Sequence, residues 1–283
     1  MKRSAIVLFV LLCLAMQFLA ACGGGVKRTP IGQLDRQAVT YQAEDGVRIV
    51  ASWFLPPDKK RPAVVILLHP LQGNRAQWNP LIPVLVDEGY AVLAPDLRSF
   101  GESTVLIRDG KEEPYTLSDP KAMLLDVAAA LKWLKGRSDV DQSRIGVIGA
   151  NVGANIAYVS TGKFPEVKTA IAISPSPYSA DDAILGSIPD FAAHDVFLMA
   201  GGIGHGGKPD PGGAKEWEEA VSLGIRISGE VKGQPYYGDK ALRGVELLAR
   251  DDVVNDILDW LAKHLGAKPA SRIPPSSHIP AYL

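Results

Sequence analysis

Cysteine is nearly absent from this chain. The 283 residues include two, Cys13 and Cys22, and both lie near the N-terminus, so the remainder can form no disulfide and must hold together through its core. No run of like charge occurs, and 30 Lys and Arg against 31 Asp and Glu leave a formal charge of −1. A basic stripe for nucleic acid is therefore missing. His, Cys, Asp and Glu do not cluster at metal-ligand spacing, and no cofactor is implied. No internal repeat is present. Long apolar runs are missing too, with one exception at residues 5–20, which is shorter than the roughly 20 residues needed to span a bilayer.

That one run follows Lys2 and Arg3 and precedes Leu19-Ala20-Ala21-Cys22. A basic start, an apolar stretch and small residues before a cleavage point make a processing segment. The last four residues resemble the lipobox of bacterial lipoproteins, in which the peptide is cut before the cysteine and the cysteine is acylated. The resemblance implies that Cys22 becomes a lipid-bearing N-terminus, anchored to the bilayer at about 0.8 kcal/mol per buried methylene. Cleavage removes Lys2 and Arg3 and takes the formal charge from −1 to −3. The absence of Asp after Cys22 further implies the outer membrane, on its periplasmic face, if the source is Gram-negative. Domain limits follow: 1–21 signal peptide, 22–37 lipidated linker containing Gly23, Gly24 and Gly25, 38–266 globular domain, and 267–283 a Pro- and Ser-rich tail. About 260 residues remain after cleavage, ample for one core.

Within the domain the pattern alternates. Residues 39–43 and 47–54 flank Glu44-Asp45-Gly46 as a hairpin. Unbroken apolar runs at 63–68, 91–94, 145–148 and 168–173 read as buried parallel strands, joined by 195–199 and a short strand at 225–228. Helices are expected over 78–88, 119–135, 152–161, 214–223 and 251–265. In the 119–135 helix, Asp119 serves as N-cap, Pro120 lies in the first turn and Gly136 follows the end. Strands alternating with helices give an α/β class: a mostly parallel twisted sheet, helices on both faces, and an N-terminal β-hairpin.

Gly149-Ala150-Asn151-Val152-Gly153 stands between a strand and a helix. With His69-Pro70-Leu71-Gln72-Gly73 after one strand and Asp96-Leu97-Arg98-Ser99-Phe100-Gly101-Glu102-Ser103 after the next, the order resembles the α/β-hydrolase fold. The likeness is to its dienelactone-hydrolase-like and esterase-like branch and covers most of 39–265. The resemblance implies a G-x-S-x-G nucleophile elbow with Asn151 in the serine's place. An amide has no hydroxyl to attack a carbonyl. The imidazole is expected on a loop after the last strand, where Arg243 stands, and a guanidinium cannot accept a proton. The acid is expected in the loop 201–207, where the position falls at Gly204 and no carboxylate precedes Asp210. The resemblance also implies an oxyanion hole from the backbone N–H groups of Leu71 and Val152. Together with Asn151 and Arg243 these form the candidate ligand pocket.

Other polar residues receive structural readings. His69 is expected to support the oxyanion loop, His194 and His264 to lie at the surface, and Asp96 and Arg98 to brace the sheet edge. Ser174 and Ser176 end a strand near the cleft and are expected to shape it. Gly202–Lys208 has P-loop spacing, but Pro209 stands where Ser or Thr must ligate magnesium.

Three readings of function stay open from these residues. The first is a tethered pseudo-hydrolase that binds a small acyl, ester or anionic compound, or a protein partner. The second is an active ester hydrolase with a non-standard set, such as Ser174 or Ser176 with His205. The third is an aspartate nucleophile formed by deamidation of Asn151, which Val152 slows and the missing base opposes. Oligomeric state is not encoded in any motif.

Overall fold

The computed structural model of the protein describes residues 28–175, 193–205 and 227–266, with 208–209, 215, 218 and 220 between the last two stretches. Cys22, Ser176, the signal segment, the tail, and all but single positions of the helix expected over 214–223 lie outside the described residues. Among the described residues no helix is long and apolar enough to cross a membrane.

Strand β1 (Arg36–Gln42) pairs antiparallel with β2 (Val47–Phe54), and the turn between them closes with Gly46 N–H on the Ala43 carbonyl at 3.0 Å. The domain therefore takes in residues from the expected linker stretch. The centre is built from β3 (Val64–Leu68), β4 (Ala91–Pro95), β7 (Ile145–Ala150) and β8 (Val167–Ile173), in which β3 runs parallel to both β4 and β7, and β7 to β8. Their apolar runs are unbroken because both sheet faces are covered. Val64, Ile66 and Leu68 enter one core, and Val65 and Leu67 the other. The first core is roofed by α2 (Met123–Lys135) and α3 (Val152–Lys163), the second by α1 (Ile82–Asp87) and α4 (Asp251–Leu265). Asp119 does cap the entry to α2, accepting the Lys121 N–H at 3.0 Å.

Beyond β8, β9 (Ala193–His205) runs parallel to it, and β11 (Ile227–Gly238) runs parallel along β9 from Ala193 to Ile203. A short β10 (Lys208–Pro209) turns back on the end of β9. At the other side, β5 (Val105–Arg108) and β6 (Lys111–Pro114) form a second hairpin, with β5 against Val47 and Arg48.

Several sequence expectations change. The strand expected at 195–199 continues to His205, so Gly201–His205 is strand and not an acid-bearing loop. Of the short strand expected at 225–228, Ile227 and Ser228 open the 12-residue β11, and 225–226 lie outside the described residues. The helix expected over 78–88 is a 3-10 turn, Arg75–Trp78, followed by α1 from Ile82. Pro80 and Pro83 lack N–H donors, so one helix cannot run through both, and Pro83 fits only a first turn. The β5–β6 hairpin was not expected.

Candidate active-site cleft

The elbow forms where β7 ends. Asn151 has φ 51 and ψ −115, and α3 begins at the next residue. The flanking glycines are demanded by distance. A Cβ on Gly149 would stand 1.9 Å from the Gly153 carbonyl oxygen, and one on Gly153 would stand 2.2 Å from that of Leu68. Strand, elbow and helix thus cross with no room for a side chain. Asn151 donates its N–H to Ile173 O at 3.0 Å, and its own carbonyl accepts from Ala154 and Asn155 at 2.9 and 3.2 Å. Positive φ at the elbow is what the sequence pattern demands, but ψ −115 lies outside the left-handed helical well that asparagine tolerates best. It matches the first central residue of a type II′ turn, where glycine is favoured. Asn151 is therefore held in strain.

What packs on Asn151 is backbone. Gly244, at φ 51, sits so close that an added Cβ would fall 2.2 Å from Asn151 Oδ1. The Gly244 N–H donates to Ser174 Oγ at 2.9 Å, and Ser174, buried and at φ 51, donates its N–H to Met199 O at 2.7 Å. The ends of β7 and β8 and the segment after β11 are thereby locked into one knot. Ser174 serves this knot as an acceptor. Sequence reasoning did not foresee the Ser174–Gly244 bond, since nothing local to either residue marks a contact 70 positions apart.

Arg243 precedes the knot and is exposed. Its N–H donates to Glu246 Oε2 at 3.0 Å, and its carbonyl accepts the Glu246 N–H at 3.0 Å, opening a 3-10 turn over Gly244–Ala249. At the expected acid position, Gly204 is a buried strand residue paired with Pro209. Three residues earlier, a Cβ on Gly201 would stand 1.9 Å from Leu242 O. The backbone of His205 is the last of β9, and its side chain is outside what is described. Among the described residues no hydrogen bond joins a serine hydroxyl to an imidazole.

The expected oxyanion donors lie on either side of the elbow. Val152 opens α3, where first-turn N–H groups have no intrahelical acceptor. Leu71 lies in a turn closed by Gly73 N–H on Pro70 O at 3.0 Å, with Gln72 at φ 59. Neither N–H is bonded to a described residue. Beneath this turn His69 is fully buried, accepts the Leu97 N–H on Nε2 at 2.8 Å, and meets Pro70 O through Nδ1 at 2.7 Å. The first bond makes Nε2 an acceptor, so the proton sits on Nδ1. Burial holds the imidazole below its ordinary 6.5. With both nitrogens engaged and the ring neutral, His69 is a brace and has no free lone pair for a base.

Asp96 accepts the N–H groups of Arg75 at 2.7 Å and Glu102 at 2.8 Å, and pairs with the Arg75 guanidinium. These residues, with Ser52, Phe54 and Asn74, line a cavity of about 570 Å³ on the flank of the sheet, away from Asn151. Arg98 is fully buried and binds Asp126 through Nε at 2.7 Å and Asp45 through Nη1 at 2.6 Å, tying the first hairpin to α2. His194 is half-exposed, whereas His264 is largely covered, stacking on Trp260 at 3.8 Å and bonding the Trp260 carbonyl at 2.9 Å. The surface reading of His264 is thus corrected: the indole of the same helix face covers it.

The sequence profile of the Dienelactone hydrolase family matches residues 49–195, a stretch that contains the elbow and ends before Gly204 and Arg243. YfhR of Salmonella typhimurium, an uncharacterized protein, is 28% identical over 132 residues, which is 45% of this chain and 41% of that relative. The match thus spans about two fifths of the relative's length. Among solved structures, the esterase Pf2001 of Pyrococcus furiosus superposes with a TM-score of 0.63 at 20% identity, covering 85% of this chain and 95% of that one. The dienelactone hydrolase of Anabaena variabilis superposes with a TM-score of 0.57 at 18% identity, covering 82% and 99%. Both likenesses establish the α/β-hydrolase fold.

Proposed function

The chain belongs to the dienelactone hydrolase family, and from that premise we propose that it is a member that keeps the hydrolase framework without its chemistry. In this reading it is a lipoprotein, acylated at Cys22 on the periplasmic face of an outer membrane. Its cleft binds a small compound carrying a carbonyl or carboxylate oxygen. The Leu71 and Val152 N–H groups would hold that oxygen, and Arg243 at the rim would favour an anion.

One observation carries the reading: an amide occupies the elbow, and the backbone that packs against it is Gly244, one residue after Arg243 at the expected imidazole position. Removing a triad's nucleophile costs about a million-fold in kcat, and here no base is described to compensate. A backbone donor pair that no described residue engages, by contrast, does not depend on the side chain at 151.

The test is turnover of short p-nitrophenyl esters by the mature chain and by Asn151→Ala. Neither is expected to exceed background. Turnover that vanishes in Asn151→Ala would refute the proposal, and turnover that persists would point to a second nucleophile such as Ser174.

A further inference from the structure

The chain enters the domain on one face, and the elbow lies at the other. Arg28 Nη1 pairs with Glu88 Oε1 at 3.2 Å, and the Thr29 N–H donates to Asp87 Oδ2 at 2.9 Å. Asp87 ends α1 and Glu88 follows it, just before β4 starts at Ala91. The entry point therefore lies at the amino ends of the parallel strands. Asn151, Leu71 and residues 239–243 follow the carboxyl ends of β7, β3 and β11. The six residues of β7 set these two faces about 20 Å apart.

A basic loop shares the entry face. Thr29, Asp87, Asp58 and Lys59 line one groove of about 800 Å³. The Lys59 stem crosses Gly89 so closely that a Cβ there would stand 2.6 Å from Lys59 Cε. Lys59, Lys60 and Arg61 are all exposed. Three carboxylates of this face are paired with cations: Glu88 holds Arg28, Asp139 binds Arg137 at 2.6 Å and Asp141 binds Arg144 at 2.8 Å. Asp87 meets only the neutral Thr29 N–H and keeps its charge, so Asp35, Asp58 and Asp87 stand against the three cations.

We propose that this face rests on the phosphate headgroups of the bilayer through Lys59 and Lys60, so that the cleft draws its ligand from water and not from the membrane. The inference rests on the acylation of Cys22. Five residues separate Cys22 from Arg28, six Cα-to-Cα steps that make a leash of about 20 Å when fully extended. That is no longer than the strands between the two faces, and a path around the domain is longer still. The leash brings the entry face to the surface and cannot bring the rim there. Cations beside an anionic surface then hold the contact. The cleft's ligand is accordingly a water-soluble carbonyl or carboxylate compound, and a lipid still seated in the bilayer cannot reach Asn151.

The test uses the acylated chain in vesicles of phosphatidylethanolamine and phosphatidylglycerol that include a headgroup-spin-labelled lipid. After acylation of Cys22 and loss of Cys13, an introduced cysteine is the sole free thiol and carries a fluorophore. Asp58→Cys is expected to lose fluorescence to the quencher, whereas Ala241→Cys, beside the rim, is expected to lose none. Adding Lys60→Glu to Asp58→Cys is expected to weaken the quenching. Equal or reversed quenching at the two positions, in a chain whose mass carries the acyl chains, overturns the orientation while leaving the anchor standing. Undiminished quenching with Lys60→Glu overturns the headgroup contact. A mass without acyl chains removes the anchor and the inference together.

Discussion

Replacing Asn151 with glycine should make the protein more stable. The residue sits at φ 51 and ψ −115, a region that costs a residue bearing a Cβ about 1–3 kcal/mol. Glycine adopts it freely but adds about 0.5–1 kcal/mol of chain entropy to the unfolded state. The Asn151 side chain makes no hydrogen bond to a described residue, so little bonding is lost. The difference is a gain between about 0 and 2.5 kcal/mol, centred near 1 kcal/mol. For a domain of this size each kcal/mol moves Tm by about 2–4 °C, so Asn151→Gly should melt about 2–4 °C higher at the centre of that range and about 10 °C higher at most. Thermal unfolding of the mature chain followed by circular dichroism reads this directly, with Asn151→Ala as the control that keeps a Cβ in the strained turn. A Tm for Asn151→Gly below wild type would refute the strain argument. It would mean that the amide stabilises the knot with Gly244 and Ser174 more than the backbone geometry costs.

Gly153→Ala should be destabilising by about 1–3 kcal/mol or more through overpacking, because its Cβ would meet Leu68 O at 2.2 Å; urea unfolding that is unchanged would contradict the crossing described at the elbow. Asp126→Ala should cost about 3 kcal/mol, the low end for an orphaned buried charge since Asp45 still faces Arg98, and a loss too small to measure in the same experiment would deny that network its role. His69 gives a pH signature. Its folded pKa lies below 6.5, the unfolded value, so below 6.5 the unfolded chain binds a proton that the fold refuses. Stability should therefore fall as pH drops from 6.5, and the slope should be smaller in His69→Gln; equal slopes in the two proteins would exclude His69 as the cause.

The sheet's centre was legible because burial on both faces writes unbroken runs such as Val64–Leu68. The elbow was legible because two glycines four apart are forced by backbone contact, whatever chemistry sits between them. The β5–β6 hairpin is marked in the sequence by its turn alone: Asp109-Gly110, at φ 51 and 74, is a two-residue hairpin turn. All of β6 is exposed, so no apolar alternation drew attention to it. The long reach of β9 and β11 was hidden for a related reason. Gly201, Gly202 and Gly204, and Gly229, Gly233 and Pro235, read as loop, yet the two strands pair through their backbones along ten register positions. That pairing turned an expected acid loop into strand. The candidate site was legible at Asn151, while the knot that fixes it depends on Ser174 and Gly244 meeting across the sheet. His69 was recognised as structural, but its tautomer follows only from the Leu97 and Pro70 contacts.

The central claim is the absence of an activated serine, and a fluorophosphonate probe reads it without any assumption about substrate. Such a probe bonds covalently to a serine hydroxyl that a neighbouring base has activated. Incubated with the mature chain and examined by intact mass, it should leave the protein unmodified, and it should leave Asn151→Ser unmodified too, since no base adjoins the elbow among the described residues. Stoichiometric labelling of the wild-type chain, mapped to Ser174 or any other serine, would contradict the account.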